Sequence, residues 1–492
     1  MTMSHKRIYS LFASFLAITC LASCGNTNTS ENPSNNSASD KTSNTDNNGP
    51  LEIVFWHTSG KNVSSGFEYY GEQFAKLVKE HDGVDIKFTF AYQGGYDDIY
   101  SKVIKGFAAG NYPNIAIAYP DHVADYLASE GDQQGKYVVD LSSYVNDDKV
   151  GFGKESWIGD GDSSDFIPAF YQESSAYERK GIYSLPLMKS SEALYYNKTV
   201  VDRYLPKYKS ELNTEAKRDA YMNSLTWDEL MNFASFIKSQ DGNSDKYSKI
   251  VMADSDSNLF IASCYQNNIP YVSLDSNYNA SIDFNNAQAK AMVTKFKGYH
   301  DQGLFFTKGT EGTYASNNFT AEDCLFDIGS TGGAGYNEPN GNSFTVGVAK
   351  PPLAGSKEVY INQGLTATIF KYKDPDGRKA LYSYKFLKYL TSAEINSDLC
   401  INLSEGYVPV RESAYNTDLY QDYLANENND FMPKVANVVH NEIGDKYFYS
   451  PAFKGSAKAR SEVGGIITQV LLGNKDVDTA FADAENNTRL SL

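Results

Sequence analysis

Aromatic and acidic side chains that could bind a hydroxyl-rich small molecule follow the ends of predicted strands. Trp56 lies near the end of the apolar run Leu51–His57, Tyr96 lies in the sequence GGYDD at a loop-to-helix junction, and Asp121 follows the strand that ends at Tyr119. Aromatic rings pack against the apolar face of a hydroxylated ring, and a carboxylate accepts two hydroxyl hydrogen bonds. The three residues are therefore candidates for a binding surface at the carboxyl ends of the strands.

Each of these side chains also has a structural interpretation. Trp56 could be a core residue over the sheet, Tyr96 could pack at the start of its helix, and Asp121 could be a turn or cap residue. Asp97 could bind a ligand or could favour the helix N-terminus through the helix dipole. The sequence alone leaves these interpretations open.

The predicted elements that position these side chains alternate between strand and helix. In chain order they are strand Leu51–His57, a Gly/Ser loop through Gly66, helix Phe67–Glu80, strand Val84–Tyr92, helix Asp97–Ala109 and strand Asn114–Tyr119. This alternation predicts a parallel sheet covered by helices on both faces. Such sheets collect binding residues at the carboxyl ends of their strands.

Two later helices carry a capping-box sequence. Thr226 and Glu229 begin the amphipathic sequence TWDELMNFASFIK, and Thr391 and Glu394 follow the amphipathic stretch Arg378–Leu390. In a capping box, the N-cap side chain and the side chain three residues later each accept the other residue's backbone N–H. We therefore predict that helices start at Thr226 and Thr391.

The N-terminal segment predicts export and attachment to a membrane. Lys6 and Arg7 precede the apolar stretch Leu11–Leu21, which is short for a membrane span, so residues 1–23 are predicted to be a lipoprotein signal peptide. The sequence LASC resembles the bacterial lipobox, which implies acylation of Cys24, for example by palmitate, and a lipid anchor at the extracytoplasmic face of the cell membrane. An ordinary signal peptide is the alternative. The polar residues 24–50 predict a disordered tether.

Composition argues against several classes of partner. The formal net charge of −17 argues against nucleic acid binding and against a basic membrane-binding face. After Cys24 the chain contains an odd set of cysteines, Cys264, Cys324 and Cys400, which we predict to be reduced core residues. Because no Cys/His spacing of a metal site and no cofactor motif occurs, we predict neither a metal nor a cofactor.

Several motifs occur in the order typical of the extracellular solute-binding proteins of ABC importers. They are IVFWHTSG, YSLPLMKSSEALYYNKTVV, TWDELMNFASFIK, FTAEDCLFDIGSTGGAGY, VGVAKPPLAG, INQGLTATIF, FLKYLTSAEIN with GYVPVR, and VLLGNKDVDTAFADA. From Ile53 onward the chain resembles this family, which includes maltose-binding and glycerol-3-phosphate-binding proteins.

The resemblance implies an α/β fold of two lobes, the type II periplasmic-binding-protein fold, with discontinuous lobes joined by a multi-strand hinge. The chain is expected to cross between the lobes near residues 185–190, 319–326 and 364–370. The N-terminal lobe would then comprise residues 51–185 plus 326–364, and the C-terminal lobe residues 186–325 plus 365–492.

The resemblance also implies further ligand-binding residues in the cleft between the lobes. Ser190, Ser191 and Glu192 follow the first crossing, and Ser330 and Thr331 lie in the Gly-rich loop. Gly364 would let a ligand approach the backbone closely, and Tyr407 would supply an aromatic ring from the C-terminal part of the chain. For Tyr407, a packed hinge residue is the alternative. Glycerol-3-phosphate binders place an arginine for phosphate where this chain has Ala457, and Arg460 is not expected to replace it. A neutral ligand is therefore favoured.

The expected function is that of a substrate-binding lipoprotein, not an enzyme. It would capture a neutral sugar or oligosaccharide between its lobes and deliver it to the permease subunits of an ABC transporter. The alternatives are an exported glycosidase that uses Asp97 and Asp121 as its carboxylates, and a surface sensor or adhesin. The Asp-rich sequences that begin at Asp241 and Asp254 lack a full calcium-loop pattern and are predicted to be loops.

Overall fold

Two five-stranded sheets organise the described part of the chain, which in this computed structural model comprises residues 49–159, 161–240, 246–403, 406–427 and 430–492. The predicted signal peptide, Cys24, most of the predicted tether and the sequence from Asp241 to Asp245 lie outside these residues.

The strands and helices have the following bounds. The strands are β1 Leu51–His57, β2 Ile86–Tyr92, β3 Ile115–Ala118, β4 Leu185–Ser190, β5 Glu192–Asn197, β6 Val251–Ala253, β7 Val272–Leu274, β8 Ala280–Ile282, β9 Phe305–Thr307, β10 Phe326–Ser330, β11 Val346–Ala349, β12 Tyr360–Ile361, β13 Gln363–Ile369 and β14 Tyr447–Phe448. The α-helices are Lys61–His81, Tyr96–Ala109, Pro120–Ala128, Ser142–Val145, Pro168–Gln172, Lys198–Tyr208, Glu215–Met222, Trp227–Lys238, Asp256–Asn267, Ala287–Asp301, Lys308–Glu311, Ala315–Thr320, Arg378–Leu390, Ala393–Asp398, Glu412–Tyr415, Asp418–Leu424, Phe431–Asn437, Ser456–Leu471 and Val477–Arg489.

The first sheet has the strand order β2-β1-β3-β13-β4. β1 pairs in parallel with β2 and β3, whereas β13 runs antiparallel to β3 and β4. Along β3, Ile115 and Ile117 enter one hydrophobic cluster, and Ala116 and Ala118 enter another, because successive side chains point to opposite faces. The predicted parallel pairing of the first three strands and the cover on both faces are confirmed.

The second sheet has the strand order β11-β5-β10-β6-β9. β6 pairs in parallel with β9 and β10, and β5 runs antiparallel to β10 and β11. Its hydrophobic core includes Trp227, whose ring meets Phe305 edge-on at 5.3 Å between centroids, and Phe481 from the last helix. Each sheet thus forms the centre of its own lobe, which agrees with the predicted two-lobed α/β fold.

The strand pairing corrects the predicted division of the chain between the lobes. Residues 326–364 were expected in the N-terminal lobe, but β10 and β11 pair with β5 in the second sheet. Residues from 365 onward were expected in the C-terminal lobe, but β13 belongs to the first sheet, and Phe386 packs with Phe55 in its core. The predicted boundaries at 326 and 364 are therefore wrong, because a motif order does not determine which strand pairs with which.

The passages between the sheets lie at single residues or short segments. β4 of the first sheet continues through Ser191 into β5 of the second, so the predicted crossing near 185–190 ends at Ser191. A second passage is Asn362, between β12, which pairs with β14 and whose Ile361 packs in the core of the second lobe, and β13 of the first sheet, and not residues 364–370. A third passage runs from Val439, in the hydrophobic core of the first sheet, to Phe453, in the hydrophobic core of the second sheet. The predicted crossing near 319–326 is wrong, since β10 lies within the second sheet.

The predicted local elements agree with the structure in most positions. β1 has the predicted bounds, and the helix Tyr96–Ala109 ends at Gly110, whose φ of 66° is a left-handed cap conformation. The prediction of a Gly/Ser loop through Gly66 is wrong, since the helix already begins at Lys61. Burial of Val63 and of Gly66 itself extends the packed face of this helix. The cysteines Cys264, Cys324 and Cys400 are buried, as predicted, and no disulfide joins any two of them.

One predicted capping box is present and the other is not. The Thr226 hydroxyl accepts the Glu229 backbone N–H at 3.3 Å, and the Glu229 carboxylate accepts that of Thr226 at 2.9 Å. Thr391 instead donates its hydroxyl to the Leu387 carbonyl at 3.1 Å. The capping box at Thr391 is wrong because the preceding helix runs to Leu390 and takes Thr391 as its C-cap.

Candidate functional site

A cavity of about 710 Å³ lies where loops and strand ends of both sheets meet. Its wall combines residues after β3, Lys189 and Glu192 on either side of the passage at Ser191, the passage at Asn362, the loop after β6 and the helix Ser456–Leu471. The charged lining residues are Asp121, Glu173, Lys189, Glu192, Asp254, Lys308 and Arg460. A cavity of this size with convergent polar groups is typical of a small-molecule binding site.

A chain of polar contacts, which we call the cleft network, crosses the cavity wall from one lobe to the other. Arg460 places Nε 3.3 Å from Oδ2 of Asp121. Its Nη1 donates to Oδ1 of Asn258 at 2.8 Å, and Nδ2 of Asn258 donates to Oε1 of Glu192 at 3.0 Å. These contacts fix the orientation of the Asn258 amide, because its oxygen and its nitrogen each face a charged partner.

The elements around the cleft network explain why these residues meet. Asp121 lies in the first turn of the helix Pro120–Ala128, directly after β3, and its Oδ1 accepts the His122 backbone N–H at 3.0 Å. Asn258 lies in the first turn of the helix Asp256–Asn267, whose N-cap is Ser255. Arg460 projects from the helix Ser456–Leu471, whose opposite side packs into the second core.

A second charged pair in the wall is fully satisfied. The Lys189 ammonium is 1% exposed, forms an ion pair with Glu173 and donates to Oγ1 of Thr366 at 3.0 Å. Since a buried charge is stable only with partners, this pair is a fixed neutral part of the wall.

Three carboxyl groups lie on the second-lobe side: Glu192 and the half-buried Asp254 line the cavity, and the buried Asp327 lies behind them. Burial raises the pKa of Glu192 to about 7 and that of Asp254 to about 6. Burial, together with the charge of Asp254, raises the pKa of Asp327 well above its ordinary range. A protonated carboxyl both donates and accepts hydrogen bonds, which suits hydroxyl ligands. Gly329 leaves room for these groups, because a Cβ there would lie 2.9 Å from Oδ2 of Asp254.

Tyrosine rings form much of the remaining wall. Tyr119 stacks on Tyr96 with 3.8 Å between ring centroids, so Tyr96 supports Tyr119 from behind. Tyr271 is buried, whereas Tyr314 and Tyr336 are 53% and 67% exposed. The Lys308 ammonium lies 3.7 Å from the ring centroid of Tyr314. These rings supply flat apolar surfaces beside the polar groups.

Four of the predicted site residues line the cavity, namely Asp121, Glu192, Ser330 and Gly364. Gly364 has φ +109°, and a Cβ there would lie 2.7 Å from the Met188 carbonyl oxygen. Its conformation is therefore required by the close approach of β4 to β13, independently of any ligand.

The other predicted site residues do not line the cavity, and their contacts are structural. Trp56 packs, half-buried, against a core cluster of the first lobe, and Asp97 is exposed on its helix. Ser190 is buried in β4. Ser191 donates its hydroxyl to the Ile361 carbonyl at 2.8 Å and its N–H to Oγ1 of Thr331 at 3.1 Å, so both brace the passage between the lobes.

Tyr96 and Tyr407 belong to the layer behind the wall. Tyr96 lies behind Tyr119, as described above. The ring of Tyr407 lies against the Gly-rich loop, where a Cβ at Gly332 would come within 3.0 Å of its Cζ. Both residues thus support wall residues, and ligand contact by either stays a prediction.

Several lining residues were not predicted. Arg460 was expected not to replace the phosphate-binding arginine of the family and was not predicted as a site residue, and the structure places it in the wall. Asn258 belongs to the Asp-rich sequence that was predicted to be a loop and in fact begins a helix. The polar N-cap Ser255 after a short apolar run was the available signal for that helix start. Tyr271, Tyr314 and Tyr336 carry no signal that separates them from the other tyrosines of a Tyr-rich chain.

The fold and the cavity define a two-lobed binding protein. The chain belongs to the bacterial extracellular solute-binding proteins, because the model of that family matches residues 71–428. The predicted family and fold are thereby confirmed. Within the described ranges, no helix combines the length and the apolar character of a membrane span.

The relatives and structural neighbours bind different solutes. The chain is 23% identical over 378 residues to the sn-glycerol-3-phosphate-binding periplasmic protein UgpB of Shigella dysenteriae, covering 75% of this chain and 77% of that protein. It shares its fold with the GacH receptor of Streptomyces glaucescens, solved unliganded and with acarbose, at TM-score 0.62 and 19% identity over 90% of this chain and 98% of that one. UgpB from Mycobacterium tuberculosis in complex with glycerophosphocholine gives TM-score 0.65 and 16% identity over 90% and 98% of the two chains.

Proposed function

We propose that this protein captures a neutral sugar or oligosaccharide in the cavity and delivers it to the permease subunits of an ABC importer. The observation that carries the proposal is the charge balance of the wall. Lys189 is paired with Glu173, and Arg460 is paired with Asp121. Because both of these cations already have a counter-charge, the wall favours a ligand without net charge.

The remaining wall groups support hydroxyl recognition. The amide of Asn258 and the buried carboxyl of Glu192 provide donors and acceptors in fixed directions, and Tyr119 and Tyr271 provide apolar faces. Sugars present hydroxyl groups around an apolar ring face, so this combination fits them.

A thermal-unfolding screen with neutral sugars, sn-glycerol 3-phosphate and glycerophosphocholine tests the ligand class. A neutral sugar at a hundred times its Kd should raise the free energy of unfolding by about 2.7 kcal/mol. Asn258→Ala should abolish most of that increase, whereas Asn277→Ala, in the exposed loop between β7 and β8, should retain it. Stabilisation by the phosphate compounds alone would overturn the neutral ligand class.

The binding function is favoured over the glycosidase alternative. Asp97 is exposed outside the cavity wall, and Asp121 is held by Arg460, so the two carboxylates do not form a matched acid and nucleophile. The sugar identified by the screen should therefore be recovered unaltered after long incubation with the protein. Recovery of hydrolysed sugar that is lost in Asp121→Asn would favour the enzyme.

We also propose that acylated Cys24 anchors the protein to the membrane, which is supported by the LASC sequence and the polar segment after it. In the expressing bacterium, Cys24→Ser should move the protein from the membrane fraction to the soluble exported fraction. Cys20→Ser, in the predicted signal peptide just before Cys24, is the matched control and should remain in the membrane fraction. Membrane retention of Cys24→Ser would contradict the anchor.

A further inference from the structure

We infer that Asp121 determines the ligand charge that the cavity accepts, by occupying the guanidinium that could otherwise bind a phosphate or carboxylate group. The inference rests on the proposed function, because it assumes that the cavity is the ligand site. It assigns to Asp121 a role in rejecting anionic solutes, in addition to any contact with a neutral ligand.

Arg460 is accessible from the cavity, but its positive charge already has a counter-charge in Asp121. Its side chain is 33% exposed, and it forms part of the cavity wall. Asp121 faces its Nε at 3.3 Å, and Asn258 accepts from Nη1 at 2.8 Å. A guanidinium has five N–H donors in a planar fork, so these two contacts use only part of its capacity. Arg460 therefore has donors for a ligand, but its positive charge is already matched.

The position of Asp121 fixes its carboxylate as a counter-charge. It lies in the first turn of a helix of nine residues, where the helix dipole favours negative charge, and it accepts the His122 N–H at 3.0 Å. An anion beside Arg460 would meet this carboxylate, and the like charges would repel each other. A neutral sugar does not meet that penalty.

The other cations of the wall do not provide the same opportunity. Lys189 is buried and bound to Glu173 and Thr366. Lys308 lies over the ring of Tyr314, and its charge acts on the neighbouring Asp254. Removing the charge of Asp121 thus exposes one cation with bidentate geometry, which is the geometry that binds phosphate and carboxylate best.

The test compares binding of sn-glycerol 3-phosphate and of inorganic phosphate to the wild type and to Asp121→Asn by isothermal titration. Asparagine has the shape of aspartate and keeps an acceptor for the His122 N–H, so the variant should fold. Its affinity for sn-glycerol 3-phosphate should rise by on the order of ten-fold over the wild type, and the gain should shrink at high salt. Asp132→Asn removes the same charge from an exposed loop and should give no gain.

A double variant identifies the cation responsible. Asp121→Asn combined with Arg460→Gln should lose the gained affinity, whereas Asp121→Asn combined with Lys308→Gln should keep most of it. Equal anion affinity in the wild type and Asp121→Asn would overturn the inference, as would a gain that survives Arg460→Gln. Should Asp121→Asn melt below the assay temperature, Asp121→Ser, which also removes the charge, replaces it in every comparison.

Titration of the wild type with neutral sugars separates this inference from the proposed function. If a neutral sugar binds and Asp121→Asn gains no anion affinity, the inference alone is wrong. If no neutral sugar binds while Asp121→Asn gains anion affinity, the proposed ligand is wrong and the role of Asp121 stands.

Discussion

Glu192 links the protonation of the cavity to the stability of the fold. Burial raises its pKa to about 7, while its partner Asn258 and the charge of Arg460 act in the opposite direction. In the unfolded chain an ordinary glutamate titrates near 4.3. Between these values the folded protein holds a proton that the unfolded chain has lost, so this group makes the free energy of unfolding fall as the pH rises from about 4.5 to 7.

We therefore expect Glu192→Gln to remove part of this pH dependence. The loss attributable to Glu192 has an upper limit of about 3.5 kcal/mol, and glutamine keeps an acceptor for Asn258. Urea unfolding at pH 5 and pH 8 should show a smaller difference in the variant than in the wild type. Some slope should remain, because the raised pKa values of Asp254 and Asp327 act with the same sign. Glu68→Gln, at an exposed helix position, is the control, and an equal slope in Glu192→Gln and the wild type would contradict the expectation.

At the scale of elements, local patterns predicted what depends on neighbours in sequence. The apolar run Leu51–His57 and the capping box at Thr226 are both present, since each depends on residues within a few positions. The capping box predicted at Thr391 is absent, because the Thr391 hydroxyl could bond either to the helix before it or to the helix after it, and it bonds to the helix before it. The second-sheet strands β6 and β9 have three residues each, too few for a period to be recognised.

The partners in the candidate site depend on tertiary structure, which explains why fewer of them were predicted. Asp121 follows a strand, and this position indicated a site, whereas Glu192 was implied by the family resemblance. Arg460 reaches Asn258 across 202 positions of sequence, and no local signal specifies that contact. The assignment of β10 and β13 to their sheets is non-local in the same way, so the predicted lobe boundaries failed where the predicted strands and helices succeeded.

At the scale of the whole molecule, the cleft network connects the two lobes through Arg460. Asp121 lies on a helix that packs against the first sheet, and Arg460 lies on a helix of the second core. The passages at Ser191 and Asn362 are single residues between strands of different sheets, which suits a hinge. Contacts made only when the lobes are together shift the molecule toward closed conformations, and so does a ligand held by both lobes.

We therefore expect Arg460→Gln to favour more open conformations. A partly exposed ion pair contributes about 1 kcal/mol, which corresponds to a roughly five-fold change in the ratio of closed to open molecules. Small-angle scattering should give a larger radius of gyration for Arg460→Gln than for the wild type without ligand. Lys458→Gln is the matched control, because its ion pair with Glu462 stays within the same helix. Adding the sugar found by the screen should compact the wild type, and a radius that is the same for Arg460→Gln and the wild type would show that the cleft network does not hold the lobes together.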